Sequence, residues 1–398
     1  MRRICVLLVM AGLAALGANA QTVTGSDDIA DPVVVNCDQG QSLNSTLSRL
    51  NKHSPATVLV KGTCTEFVQI NGFEGLTLKG LPGAALQQPA TTPTNVPGVW
   101  VLSIGASRSV TVDGLSIHSA ASALGGIGIG QNSTDIRLRN LTIDGPAIFG
   151  IEIFEGSQVS LAGVTARDAG FATLAALDLS DVHIEQSLFE ETTGGGFHEG
   201  IVASSGHVTV QSTTIRDMQV GIGISAHGSV DIQSFNTYFP VVRPNDVVIA
   251  NPAGTNFQGV QVTRGTLGVG DTKLRITNAG QPFGGSSGAI SASEDSTVSD
   301  GNGNLIITGS QGQGLFVSNN SHASLGGSSI TGGNHGGLVV TNLSSVSLLS
   351  NGLQTLFGGN ATDVFCDSNS LITGTARFAG VPITNCANLL PGDTVPLP

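Results

Sequence analysis

Between residues 117 and 217 the sequence sets ionisable side chains at one recurring point, each directly after a short apolar run. His118, Asp144, Arg167, Glu190 and Arg216 follow Ile117, Ile143, Ala166, Phe189 and Ile215, and Asp168, Glu191 and Asp217 come one residue later. If the apolar residues hold equivalent places in stacked strands, the ionisable ones form an outward column with neighbours about 4.8 Å apart. Carboxylates at that spacing shift one another's ionisation or hold a cation. Pairs about 5 Å or further apart are what glycoside hydrolysis uses. The first column alternates acid and base, however, as a solvated stabilising ladder does, and the ladder is the stronger of the two readings.

Beside that column, Gly194-Gly195-Gly196-Phe197-His198-Glu199 is a glycine-rich bend carrying a histidine and a carboxylate. His198 suits a general base near neutral pH, with Glu199 or Glu191 orienting it or acting as acid. The candidate catalytic residues are therefore Glu190, Glu191, His198, Glu199 and Arg216. A long surface turn with a merely solvated histidine is the competing and stronger reading. A second candidate region lies between Gly221 and Gly259, where the step of 38 residues exceeds its neighbours and holds Phe235, Tyr238, Phe239 and Arg243. Aromatic rings in such an insertion stack on sugars, making these four the candidate substrate-binding residues, or else plug the space between coils. Glu152 and Asp178 form an outward acidic pair only if Leu177 and Leu179 both point inward. A one-residue slip removes the pair. Trp100, the single tryptophan, faces outward by simple alternation. Asn319, Asn320, Asn342, Asn351 and Asn360 read as bend or ladder residues.

The elements that would position these groups are set by a repeated phrase. Gly126-Ile127-Gly128-Ile129, Gly150-Ile151-Glu152-Ile153, Gly200-Ile201-Val202-Ala203, Gly221-Ile222-Gly223-Ile224, Gly314-Leu315-Phe316-Val317 and Gly337-Leu338-Val339-Val340 recur with glycine steps of 24, 50, 21, 93 and 23. That is a stacked-repeat period of roughly 21 to 26 residues with one stretched region. Each phrase precedes a second alternating run, such as Val159-Ser160-Leu161, and a third, such as Leu141-Thr142-Ile143. Three short strands with no room for a helix describe one coil of a parallel β-helix. About eleven such three-strand coils make an all-β solenoid roughly 50 Å long. The 55 glycines, 40% hydrophobic content and 11% charged content suit many tight bends around a narrow core.

The ends read separately. Residues 1–20 have the form of a secretory signal, with Arg2 and Arg3, an apolar Ile4 to Leu16 and an Ala18-Asn19-Ala20 cleavage site. Cys5 leaves with it. Cys37, Cys64, Cys366 and Cys386 remain, an even number in an exported chain, and proximity pairs Cys37 with Cys64 and Cys366 with Cys386. Leu43, Leu47 and Leu50 recur at helical spacing across Ser42 to Asn51, predicting a short capping helix over the open N-terminal edge. The expected organisation is signal 1–20, N-terminal extension and cap helix 21–56, β-helix 57–386 and a C-terminal tail 387–398.

The Gly-Ile-x-Ile phrases and the capping helix resemble the right-handed parallel β-helix proteins of the pectin lyase-like superfamily, over about Val58 to Ile383. The resemblance implies a right-handed coil, which crossover chirality also favours. It spans polysaccharide lyases, hydrolases, esterases and epimerases as well as noncatalytic adhesins, so it transfers no activity. The Asn-Thr-Asp, Asp-Asp and Gly-His-Gly set of galacturonan hydrolases is absent, as are the basic residues of pectate lyases. Without Arg2 and Arg3 the chain carries 14 Lys+Arg against 28 Asp+Glu, a balance that argues against nucleic acid. Polyanionic glycans are repelled unless Ca2+ bridges them. No other cofactor and no metal-ligand set is indicated. At 4% aromatic residues an extended sugar-stacking groove is not expected, although a compact site is compatible. The expectation is a secreted or periplasmic monomer, without a membrane span, that interacts with polysaccharide or surface glycan, as a lyase or hydrolase or as a noncatalytic surface protein.

Overall fold

The computed structural model describes residues 31–90, 99–145, 147–193, 198–234, 246–250, 257–280, 288–350, 353–379, 384, 386 and 390–395. Three parallel sheets of 12, 14 and 14 strands run its length as a solenoid of about twelve turns. Sheet 1, the 12-stranded one, holds the Gly-Ile-x-Ile strands, such as Gly125–Gly130 and Phe149–Ile153. Sheet 2 holds the second runs, such as Gln158–Ala162, and sheet 3 the third, such as Thr165–Arg167.

Alternation buries one face of each strand. In Gln158–Ala162, Val159 and Leu161 are buried while Ser160 is exposed. The inward residues stack in register from turn to turn, so Ile127, Ile151, Leu174, Ile201, Ile222 and Val260 form one fully enclosed column. Each contributes on the order of 1.5–3 kcal/mol by leaving water.

The first glycine of each phrase has a different job from the one its composition suggests. A Cβ at Gly200 would lie 2.5 Å from the Gly221 carbonyl oxygen and 2.5 Å from Ile215 Cγ2, and one at Gly221 would lie 2.6 Å from the Gly259 carbonyl oxygen. These glycines permit close approach between turns. Much of the bending falls to other residues: Asn140, Asp168, Asp217, Asn319 and Asn342 adopt left-handed φ values between 50° and 59°. Asn342 Nδ2 also donates to Asn319 Oδ1 at 3.1 Å, the ladder expected of these asparagines. Buried serines satisfy backbone donors at the turn between sheets 1 and 2: Ser133 N–H donates to Ser157 Oγ at 3.2 Å, and Ser296 N–H to Ser321 Oγ at 3.2 Å.

The N-terminal extension joins the stack, because Val33–Asn36 pairs with Ala56–Lys61 at the edge of sheet 2. The capping helix is shorter than expected, Leu43–Leu47, with Leu43 and Leu47 buried. The Glu66 carboxylate accepts the N–H groups of Leu43 at 2.6 Å and Asn44 at 3.2 Å. Asn44 then covers the free edge of the first strand of sheet 1: its Nδ2 donates to Phe67 O at 2.7 Å and its Oδ1 accepts Gln69 N–H at 3.0 Å. Both expected disulfides are formed, Cys37–Cys64 and Cys366–Cys386, each worth about 3 kcal/mol by loop closure. Leu390–Val395, read from the sequence as tail, pairs with Thr375–Ala379 as the last strand of sheet 3. The segment read as a signal lies outside the described residues. No helix among the described residues is long and apolar enough to cross a membrane.

Gly200→Val should therefore lower stability by about 3 kcal/mol or more in denaturant unfolding, since backbone on the next turn must move. Ser160→Ala, on the solvent side, should stay within about 0.5 kcal/mol.

Candidate functional site

The sheet 3 column has the register the sequence predicts: Asp144 opposite His118 and Arg167, and Glu190 opposite Arg167 and Arg216. Its chemistry is that of a ladder. Glu190, with a side chain only 4% exposed, has Oε1 2.5 Å from Arg167 Nε. Its Oε2 accepts Arg216 Nε at 2.6 Å and the same guanidinium's terminal nitrogen. Both oxygens are thus held by charge-assisted bonds. His118 Nδ1 lies 2.6 Å from Asp144 Oδ1. Burial pushes the Asp217 carboxyl up, with Arg216 opposing and Glu190 adding to the shift.

Glu191 and His198 meet in the turn between sheets 3 and 1. His198 Nδ1 is 3.5 Å from Glu191 Oε2, with side-chain exposures of 12% and 3%, and 2.7 Å from Ala169 O. Glu191 Oε1 accepts the Thr193 N–H at 2.9 Å and the Thr193 hydroxyl. Glu191 is buried and His198 partly exposed, and both are tied to groups of the same turn. Glu199 opens the strand Glu199–Ser204 of sheet 1, and its Oε2 lies against Gly223, where a Cβ would be 3.0 Å away. Burial pushes its carboxyl up to about 7. The structure thus brings four of the five candidate catalytic residues into two contacts, Glu190 with Arg216 in the ladder and Glu191 with His198 in the turn, and Glu199 follows His198 at the start of the next strand. Phe235, Tyr238, Phe239 and Arg243 lie outside the described residues.

The exterior of sheet 1 carries a grouping that sequence reasoning did not assemble. Trp100 and Phe154 stack with centroids 5.5 Å apart and planes 22° from parallel. They lie on the glycine strand Gly125–Gly130: a Cβ at Gly128 would be 2.3 Å from Trp100 Cδ2, and one at Gly130 2.4 Å from Phe154 Cε2. Phe67, Gln69, Asn71, Gln131 and Glu155 join the two rings around a cleft of about 350 Å³. Trp100 Nε1 donates to Glu152 Oε2 at 3.2 Å. Burial pushes the Glu152 carboxyl up, the indole bond opposes this, and the charge of Asp178 adds to it. Asp178 and Leu179 both sit in the bend with left-handed φ of 49° and 63°, and Leu179 is 82% exposed. The acidic pair on adjacent strands is therefore not formed, although Asp178 still acts on Glu152. The available signal was outward Trp100 followed, one repeat on, by outward glycines. Nearby, Phe149 and Phe171 pack edge to face at 5.9 Å.

Among the described residues, the one grouping of three metal-ligand side chains is Cys37, Cys64 and Glu66, and its cysteines are joined in the disulfide.

Residues 98–237, which include the cleft strands Trp100–Gly105 and Gly125–Gly130, match the family model of the right-handed β-helix region. The chain folds as a right-handed parallel β-helix. This is the coil that the sequence resemblance implied. No curated protein matches the β-helix chain in sequence. Among solved structures it is similar to PfbA, a surface adhesin of Streptococcus pneumoniae, at 13% identity and TM-score 0.48, over 86% of this chain and 93% of that one. It is also similar to the family 28 exopolygalacturonase of Yersinia enterocolitica, at 10% identity and TM-score 0.34, over 89% and 79%. The Siphovirus 9NA tailspike receptor binding domain aligns at 9% identity and TM-score 0.30, over 92% and 76%. At these scores the likenesses carry no functional argument, because a shared coil leaves exterior side chains free to differ.

Two substitutions separate ladder from site. Glu190→Gln should cost about 1–2 kcal/mol in urea unfolding, a figure already reduced for the exposure of both arginines, and should leave glycan binding unchanged. Glu199→Gln should act oppositely. The folded chain keeps the Glu199 proton up to about pH 7, against an ordinary value of 4.5, so stability falls as pH rises between those values. The variant should match the parent near the lower value and exceed it above the upper one by about 1–2 kcal/mol, measured by unfolding across that range.

Proposed function

We propose that this β-helix protein binds glycans on the outer face of sheet 1, does not cleave them, and works outside the cytoplasm. The observation that carries the reading is the Trp100–Phe154 stack on its glycine floor, fringed by Gln69, Asn71 and Gln131. Aromatic faces pack on the apolar faces of sugar rings, and side-chain amides both donate to and accept from hydroxyls. The compact cleft fits a chain whose 4% aromatic content argues against a long stacking groove. Export is supported by two disulfides and by the composition of residues 1–20.

The noncatalytic part rests on how the candidate carboxylates are already engaged. Glycoside cleavage needs an acid and a base, or an acid and a nucleophile, at one bond. Glu190 is held by two arginines and Glu191 is buried beside His198. One observation favours hydrolysis: Glu199, pushed up to about 7, holds a proton where a general acid needs it.

Binding of the purified protein to a panel of neutral, acidic and amine-bearing polysaccharides, followed by affinity electrophoresis and calorimetry, tests the reading. Trp100→Ala should weaken binding at least about tenfold, the loss of one good stacking contact. No binding by folded protein would overturn the glycan reading. New reducing ends, or unsaturated-uronate absorbance, would overturn its noncatalytic part.

A further inference from the structure

The cleft has a charge pattern that a neutral sugar does not use. Glu155 is the one charged residue among those lining it, and Glu152 is tied to the indole edge at 3.2 Å. Asp178 stands on the adjoining bend, where its carbonyl accepts the Gly156 N–H at 2.9 Å. Elsewhere on the exterior some carboxylates are matched with cations, as Glu190 is with Arg167 and Arg216 and Asp246 with Arg275, and others are held by neutral donors, as Asp168 is by Thr192. At the cleft, among the described residues, Glu155 accepts only the Gln131 N–H, at 2.8 Å, and Glu152 the indole. Among the described residues no Lys, Arg or His forms an ion pair with Glu152, Glu155 or Asp178.

Two independent features of the cleft therefore attract positive charge. The faces of Trp100 and Phe154 carry the negative side of the ring quadrupole, which draws ammonium groups. Glu155 at the rim, with Glu152 at the indole edge, adds a Coulomb term that weakens with salt. A bare metal ion is a poor occupant, since hard cations need six or more oxygen ligands and the aromatic floor supplies none. A uronate is repelled by the same rim. An ammonium on a sugar ring uses the aromatic floor and the rim together.

We propose that the Trp100 cleft selects a glycan unit carrying a free ammonium, a de-N-acetylated hexosamine, over its N-acetylated, neutral and uronic counterparts. The proposal rests on the glycan-binding reading above.

The test is calorimetry of the full chain with matched-length oligomers of β-1,4-linked glucosamine, β-1,4-linked N-acetylglucosamine and α-1,4-linked galacturonate, with the amine protonated. The glucosamine oligomer should bind about tenfold or more tightly than the N-acetylated one, and the ratio should shrink with added salt. Glu152→Gln keeps an oxygen able to accept the indole N–H, and it should narrow the ratio to about twofold. Glu155→Gln, on the exposed rim, should narrow it in the same direction if the first variant fails to fold. Equal binding of the amine and N-acetyl oligomers would overturn the proposal while leaving the glycan reading intact. Binding of none of the three by folded protein, together with a silent polysaccharide panel, would overturn both.

Discussion

Contact between the backbones of successive turns at the glycine column is the constraint on which the rest depends. At Gly150, Gly200, Gly221 and Gly314 a Cβ would lie within 2.6 Å of a carbonyl oxygen on the next turn. With no side chain there, the turns settle at strand spacing and the aliphatic columns inside come into register. That register governs the exterior as well. It sets Arg167 and Arg216 on either side of Glu190, and it lays Trp100 over the next turn's Gly128.

The exterior thus divides into surfaces with different jobs. On sheet 3, acids and bases alternate along the axis and neutralise one another, an arrangement that strengthens a sheet but leaves little charge for a ligand. The Glu191–His198 contact braces the entry to the Glu199–Ser204 strand. On sheet 1, aromatic rings lie flat on glycine, and the carboxylates beside them lack cationic partners among the described residues. Glu152 and Glu155 accept hydrogen bonds from neutral donors, the Trp100 indole and the Gln131 N–H, so their charge is not cancelled there, which is why this surface is the one read as functional.

Much of the fold was legible in the sequence because it follows from periodicity. The alignment of Ile117, Ile143, Ala166, Phe189 and Ile215 needs only the alternation of apolar residues, and both cystine pairs follow from proximity. The candidate site was less legible, for physical reasons. A column of acids and bases reads the same whether it is a ladder or a site until burial and distances are known, and Glu190 is decided by its two arginines. Leu179 is apolar yet 82% exposed in a left-handed bend, so the apolar pattern alone left the register around Asp178 open between a pair and a bend. Trp100 was placed outward, but its meaning lay in Gly128, a residue that matters through the side chain it lacks.

Because Trp100 is the single tryptophan, the indole itself reports on the central claim. Titrating the full chain with amine-bearing oligosaccharide while following tryptophan emission should give a saturable change whose midpoint matches the calorimetric affinity. Calorimetric binding with the indole emission unmoved throughout would contradict the account and put the glycan elsewhere on the β-helix.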